Sequence, residues 1–119
     1  MNNEEKRKCH AIIHGAATSG AAVAAGMAQI PGSDAPVLIG IEISMTVALG
    51  AVFGVSLTES AAKSIVLSNL AGYAGRGISQ ALVGWIPGLG NAINAGTAFT
   101  LIETVGWAIA KDFSNGKNR

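Results

Sequence analysis

The chain has 119 residues, of which only 13% are charged and 50% are hydrophobic, and its formal net charge at pH 7 is +1. The high apolar fraction excludes intrinsic disorder, and the small net charge excludes a basic nucleic-acid binder, so we expect no nucleic-acid partner. The length predicts a single domain, and one cysteine, Cys9, cannot form an intramolecular disulfide.

The first predicted helix spans roughly residues 4–29. It begins in a polar start, 1–8, with three basic residues, and continues as an apolar stretch rich in alanine and glycine. A basic start before an apolar run is also typical of a signal peptide. However, Glu4 and Glu5 dilute the charge, and the run continues to Ile30, beyond the usual length. We therefore expect a retained helix.

This helix carries both histidines of the chain. His10 and His14 are spaced i, i+4, which places both imidazoles on one face, as a two-histidine metal site requires. The chain has no third histidine, and no carboxylate motif completes the ligand set. We predict no metal site, and the sequence leaves open whether the two histidines have a role.

Two identical Ile-Pro-Gly tripeptides, at 30–32 and 86–88, each lie between long apolar segments. Proline ends a helix and glycine supplies the left-handed residue of a tight reversal. The predicted reversals are formed by Pro31, Gly32, Pro87 and Gly88. Further glycines recur with the same separation as the two tripeptides, which indicates an internal pseudo-repeat of two αα-hairpins.

The remaining helices are predicted at 34–54, 58–86 and 90–112. Ser56 followed by Glu59 matches a capping box that starts the third helix, and three glycines within 71–77 predict a break in it. We therefore predict an all-α fold with a four-helix arrangement in one domain. Its predicted parts are the polar start 1–8, a first hairpin 9–54, a second hairpin 55–112 and a polar tail 113–119.

The basic residues are distributed to one side of this arrangement. If the helices run up, down, up and down, seven cations share the end that holds both termini, and neither Ile-Pro-Gly turn carries any. These cations are Lys6, Arg7, Lys8, Lys63, Lys111, Lys117 and Arg119. The positive-inside rule then predicts a membrane-associated hairpin protein at a bacterial inner membrane, with both termini in the cytoplasm.

Two charged residues, Glu42 and Arg76, would lie at membrane depth, where a charge costs at least about 2.5 kcal/mol. Folding the second hairpin brings Arg76 within about one turn of Glu103. We therefore predict a buried polar pair between Arg76 and Glu103, and we interpret Glu42 as a buried polar anchor.

The turns and the segments around them resemble a bacterial domain family of unknown function. The family includes the YcjF-type membrane proteins and the C-terminal helical region attached to some Era-like GTPases. The EcsC-like proteins are a second, weaker resemblance. The matching segments are 30–36, 40–45, 54–58, 62–63 and 86–91, with Leu49 and Gly96. The resemblance covers about residues 10–112 and implies an α-helical module found beside a GTPase or in a membrane protein, with no catalytic residues.

These observations favour a non-enzymatic module with no cofactor and with no catalytic, cofactor-binding or metal-binding residues. We expect it to associate with membrane lipid and to act through helix–helix contacts with itself or another helical protein, for which the resemblance suggests a GTPase. One alternative is a soluble, cytoplasmic four-helix bundle that binds an apolar ligand or a partner helix. Another is a small pore-forming toxin or bacteriocin-like protein.

Overall fold

The computed structural model describes residues 1–26, 35–75 and 95–117. Within these ranges the chain forms helices and no strand, which confirms the predicted all-α fold. The described residues form four helices, α1 (Asn3–Gly26), α2 (Ala35–Val52), α3 (Glu59–Gly75) and α4 (Ala95–Lys117). Both Ile-Pro-Gly turns lie outside the described residues, so the reversals at these turns and the internal repeat stay predictions.

Helix α1 begins with a reciprocal cap, which was not predicted from the sequence. The side chain of Asn2 accepts a hydrogen bond from the backbone N–H of Glu5, and the Glu5 carboxylate accepts one from the N–H of Asn2, at 2.8 and 2.9 Å. These contacts satisfy amide groups that a helix N-terminus leaves unpaired. The cap therefore fixes the start of α1 at the polar N-terminal segment.

One stripe of α1 faces the core, with residues three or four positions apart, as on one face of an α-helix. The buried members are Cys9, Ile13, Ala17, Gly20 and Ala24. This stripe packs mainly against α4 and also against α2. Helix α2 lies at the centre, in contact with α1, α3 and α4, and its fully buried face includes Leu38, Glu42 and Leu49.

The contacts at two glycines indicate the relative directions of neighbouring helices. A Cβ atom at Gly20 would meet the side chains of Ile102 and Leu38, and one at Gly106 would lie 2.9 Å from Ile13 and 3.0 Å from Met45. Residue numbers therefore rise along α1 while they fall along the adjoining parts of α2 and α4. Helix α1 is antiparallel to both neighbours, so its N-terminus shares one end of the bundle with the C-termini of α2 and α4.

Helix α2 ends in a Schellman motif. Gly54 has a φ of 75°, its N–H donates to Ala51 at 3.2 Å, and the N–H of Val55 donates to Gly50 at 2.8 Å. A left-handed residue closing the last turn in this way favours glycine. The connection is short, so α3 starts at the same end of the bundle.

The start of α3 differs from the prediction. Thr58 Oγ1 accepts a hydrogen bond from the N–H of Ala61 at 3.1 Å, and the Thr58 carbonyl accepts one from Ala62 at 3.0 Å. Thr58 is therefore the N-cap, and the predicted capping box of Ser56 and Glu59 is wrong. Glu59 is instead the first residue of the helix.

Helix α4 continues beyond the predicted end at residue 112. Phe113 packs against the core and Ser114 is buried, and the helix ends at Lys117. The predicted polar tail 113–119 is therefore helical as far as Lys117. Packing of the Phe113 side chain stabilises this turn, although serine, asparagine and glycine, which follow it, have low helix propensities.

Candidate functional site

An open groove of about 560 Å³ lies at the end of the bundle where α1 begins and α4 finishes. Residues from both helices line it, and their spacing of three or four places them on one face of each helix. The lining consists of Met1, Lys6, Arg7, His10, Trp107 and Lys111. We call this surface the basic groove.

The charge of the basic groove is of one sign. Its lining includes three basic side chains, Lys6, Arg7 and Lys111, all on exposed residues, and no carboxylate among the residues described there. Lys8 lies outside the lining and forms an exposed ion pair with Glu4 at 3.4 Å. Three basic residues therefore line the groove, mainly through the apolar parts of their side chains, although the whole chain is almost neutral.

Two polar contacts of Glu103 orient aromatic rings at and beside the groove. The indole Nε1–H of Trp107 donates to Oε2 of Glu103 at 3.2 Å, and Oε1 of Glu103 lies 3.2 Å from Nδ1 of His14. An ionised carboxylate only accepts hydrogen bonds, so Nδ1 of His14 donates and Nε2 faces away from Glu103. Both carboxylate oxygens are therefore used to orient a ring.

The two histidines share a face of α1, as their spacing predicts. Their rings stack with centroids 5.4 Å apart and planes inclined by 15°, and the rings of His14 and Phe99 pack nearly perpendicular to each other with centroids 5.5 Å apart. Within the described residues, no three His, Cys, Asp or Glu side chains form a group that could hold a metal ion. The stack connects the groove, through His10, to the contact between His14 and Glu103.

Cys9 neighbours these histidines in sequence but faces the core, where it is fully buried. Burial raises the pKa of the Cys9 thiol, and the nearby negative charge of Glu5 raises it further. A thiol held in its neutral form is a poor nucleophile and a poor metal ligand. Cys9 is thus a core residue of α1.

The predicted pair of Arg76 and Glu103 stays a prediction, because Arg76 lies outside the described residues. The structure brings Glu103 to His14 and Trp107. Trp107 follows Glu103 by one helical turn, so this spacing could have suggested their contact. The contact with His14 joins residues 89 positions apart and has no local signal in the sequence.

Glu42 lies in the core and away from the basic groove. Its side chain is fully buried, and neither carboxylate oxygen has a hydrogen-bond partner among the described residues. Burial raises the pKa of Glu42 well above its usual range. Thr46 Oγ1 donates a hydrogen bond to the backbone carbonyl of Glu42 at 2.8 Å, and not to its carboxyl group. The interpretation of Glu42 as a polar anchor stays a prediction.

A second open groove, of about 620 Å³, follows the outer surface between α1 and α2. It is lined mostly by small or apolar side chains and by no charged residue among those described. The lining consists of Ile12, Gly15, Ala16, Ser19, Val37, Gly40, Ile41, Ser44, Met45 and Ala48. We call it the small-residue groove, and Val37 at its edge is 43% exposed.

One finding in the structure bears on the predicted association with a membrane. None of the helices in the described ranges has both the length and the apolar character that crossing a membrane requires.

Comparisons of the chain with protein-family models, curated proteins and solved structures gave no match. The resemblance to the YcjF-type and EcsC-like families therefore stays a prediction.

Proposed function

We propose that this chain is a non-enzymatic helical interaction module that docks peripherally on an anionic membrane surface through the basic groove. The observation that carries the proposal is the lining itself, to which Lys6, Arg7 and Lys111 contribute together with Trp107 and no carboxylate among the described residues. Tryptophan favours the boundary between lipid and water, and lysine and arginine attract anionic headgroups. A surface with this composition matches a membrane interface.

The position of the other cations supports the same orientation. Lys6, Arg7 and Lys8 begin α1, Lys63 lies in the second turn of α3, and Lys111 lies near the end of α4. These helix ends meet at one end of the bundle, where Lys6, Arg7 and Lys111 line the basic groove and Lys63 lies outside it. Each cation near an anionic surface contributes about 1 kcal/mol. This function fits the cytoplasmic face of a bacterial inner membrane.

Vesicle co-sedimentation tests the proposal. We expect binding to phosphatidylcholine vesicles that contain phosphatidylglycerol, no binding to pure phosphatidylcholine, and release as salt screens the charges. Equal binding to both kinds of vesicle, or binding that resists high salt, contradicts peripheral electrostatic docking. Leakage of a trapped dye from the anionic vesicles would favour the pore-forming alternative instead.

A second candidate function is the docking of a partner helix in the small-residue groove. Gly40, Ser44 and Ala48 are spaced i, i+4 along α2, opposite Gly15 and Ala16 of α1. Small side chains let a third helix approach two backbones closely. The partner would be an apolar helix of a second copy or of another protein, for which the resemblance suggests a GTPase.

Sedimentation velocity tests this second candidate with the chain alone. Self-association through the groove predicts a concentration-dependent dimer that Ser44→Trp abolishes, because the indole would occupy the groove. The matched control is Ser64→Trp, an exposed serine on α3 outside the groove. A dimer that survives Ser44→Trp contradicts this route of self-association.

A further inference from the structure

The wall of the basic groove is almost entirely apolar, although three of the residues that form it are basic. Lys6, Arg7 and Lys111 are exposed residues, and the methylene groups of their side chains contribute to the wall. A long basic side chain commonly covers apolar surface with its stem and keeps its charged head in water. The charged heads therefore lie at the rim of the groove and not on its wall.

The indole of Trp107 supplies the aromatic part of this wall. Its Nε1–H is the single hydrogen-bond donor of the ring, and it already donates to Oε2 of Glu103 at 3.2 Å. The ring is partly buried and packs against the core, as does the side chain of Met1. A ligand in the groove therefore meets carbon atoms of the indole and no free donor.

The register of α1 and α4 makes the two ends of the groove unlike. His14 of α1 contacts α4 one turn before Trp107, and the two helices are antiparallel. One turn back along α1, His10 therefore lies level with Trp107. One turn further back, Lys6 lies level with Lys111. Rings thus flank one end of the groove, and basic side chains flank the other.

A ligand that fits both ends has an aliphatic part and an anionic part. The aliphatic part removes its surface from water against the apolar wall. The anionic part reaches the charged heads at the rim, and the lining has no carboxylate among the described residues to repel it. The volume of about 560 Å³ is within the range of small-molecule sites, which is about 300–1,000 Å³.

We propose that the basic groove binds a single-chain fatty acid, with the aliphatic chain beside Trp107 and the carboxylate between Lys6 and Lys111. Arg7 adds a guanidinium, whose planar fork matches a carboxylate. This inference rests on the proposed function, which assigns the groove to anionic lipid, and it names the lipid that the groove takes. The fatty acid binds as a dissolved monomer and needs no membrane surface.

The length of the chain should set the affinity. Full burial of one methylene group strengthens binding about fourfold, and an open groove that covers about half of each group gives about twofold. Decanoate is longer than octanoate by two methylene groups, so we expect it to bind about fourfold more tightly. Calorimetry at about pH 7.5, where both carboxylates are ionised, measures the affinities and a stoichiometry of one ligand per chain.

The charge of the ligand should add to the affinity of its chain. An exposed ion pair strengthens binding about threefold, so contacts with Lys6 and Lys111 together contribute about tenfold. We expect decanol, which has the same chain length and no charge, to bind about tenfold more weakly than decanoate. Equal affinities for decanol and decanoate would overturn the inference.

Lys111→Met separates the wall from the rim, because methionine keeps an apolar stem and lacks the charged head. We expect this variant to bind decanoate about threefold more weakly and to bind decanol with little change. Lys63→Met is the matched control on α3, outside the groove, and should bind both ligands as the unmodified chain does. Circular dichroism verifies that both variants stay helical.

Fluorescence of Trp107 locates the ligand. The chain has two tryptophans, so Trp85→Phe leaves Trp107 as the single indole. We expect decanoate to shift the Trp107 emission to shorter wavelength in step with binding, because the chain displaces water from the ring. Binding without any change in this emission would overturn the assigned position. Calorimetry keeps both tryptophans, so the affinities do not depend on this variant.

Two further results overturn the inference, namely no saturable binding of decanoate and equal weakening by Lys111→Met and Lys63→Met. Failure of the proposed docking function is distinguishable. Binding of anionic vesicles without binding of decanoate would leave docking in place and overturn the fatty-acid site. Binding of decanoate without binding of vesicles would support the site and contradict docking.

Discussion

Nδ1 of His14 on α1 lies 3.2 Å from Oε1 of Glu103 on α4, and this contact joins the first helix of the chain to the last. The other oxygen of Glu103 accepts from Trp107, which lines the basic groove. One carboxylate therefore links the packing of two helices to the orientation of a groove residue.

The contact between His14 and Glu103 should contribute little to stability. The two side chains are 54% and 23% exposed, so water screens their interaction, and we expect a coupling free energy of about 0.5 kcal/mol. Urea unfolding of His14→Ala, Glu103→Ala and the double variant measures the coupling in a double-mutant cycle. A coupling above about 2 kcal/mol would show that the contact is a major source of stability, contrary to this expectation.

Glu42 should make the fold less stable as the pH rises. Burial raises the pKa of Glu42 in the folded chain, whereas an unfolded chain releases the proton near the usual value of 4.5. The stability associated with the neutral carboxyl is fully present below that value and is lost as the pH rises through the raised pKa. We expect Glu42→Gln, which cannot ionise, to be more stable than the unmodified chain near neutral pH.

Thermal melts across the pH range measure this effect. The difference in Tm between Glu42→Gln and the unmodified chain should grow as the pH rises, which separates Glu42 from the other carboxylates. Glu42→Leu should be at least as stable as Glu42→Gln, because it buries no polar group without a partner. A difference in Tm that does not change with pH is inconsistent with a buried, titrating Glu42.

Gly106 should tolerate no larger side chain. A Cβ atom there would lie 2.9 Å from both γ carbons of Ile13 and 3.0 Å from the sulfur of Met45. Because both branches of Ile13 are in the way, rotation of that side chain would still leave one γ carbon against the new methyl group. We expect Gly106→Ala to destabilise the fold by about 1–3 kcal/mol, although alanine favours a helix.

Gly15→Ala is the matched control for Gly106→Ala. Gly15 lies in helix α1, and the methyl group of an alanine there would meet no neighbouring side chain within 4 Å. The same substitution should therefore stabilise the fold by about 0.5–1 kcal/mol. Chemical denaturation of the two variants gives both values. Equal effects at the two positions would contradict the close packing of α4 against α1 and α2.

Thr58 should stabilise α3, and Ser56 should not. Thr58 Oγ1 accepts a hydrogen bond from the backbone of Ala61, so Thr58→Ala is expected to cost about 1 kcal/mol. Ser56 is exposed and lies before the cap, so Ser56→Ala should change stability by less than about 0.5 kcal/mol. Urea unfolding ranks the two variants, and the opposite ranking would restore Ser56 as the cap.

The sequence predicts those features of the helices that depend on residues close together in the chain. Apolar segments separated by proline and glycine indicate the all-α fold, and the spacing of His10 and His14 indicates their shared face. Boundaries are predicted less well where competing local signals exist. Ser56 and Thr58 both precede Glu59, and the hydrogen bond from Ala61 identifies Thr58 as the cap.

The candidate site depends on packing between distant parts of the chain. The basic groove forms because α1 is antiparallel to α4, which brings Lys6 and Arg7 to Lys111. Charge sidedness predicts this gathering of cations at one end, but it does not indicate which side chains share a groove. The partner of His14 likewise follows from the register of two helices, which no local pattern specifies.

Binding of anionic vesicles by three single-lysine variants tests the docking proposal most directly. Lys6→Gln and Lys111→Gln each remove one cation from the basic groove, and Lys63→Gln removes one from the same end of the bundle outside that groove. We predict that each groove variant weakens binding about fivefold and that Lys63→Gln changes it much less. Equal weakening by all three variants, or none by Lys6→Gln and Lys111→Gln, would contradict docking through the basic groove.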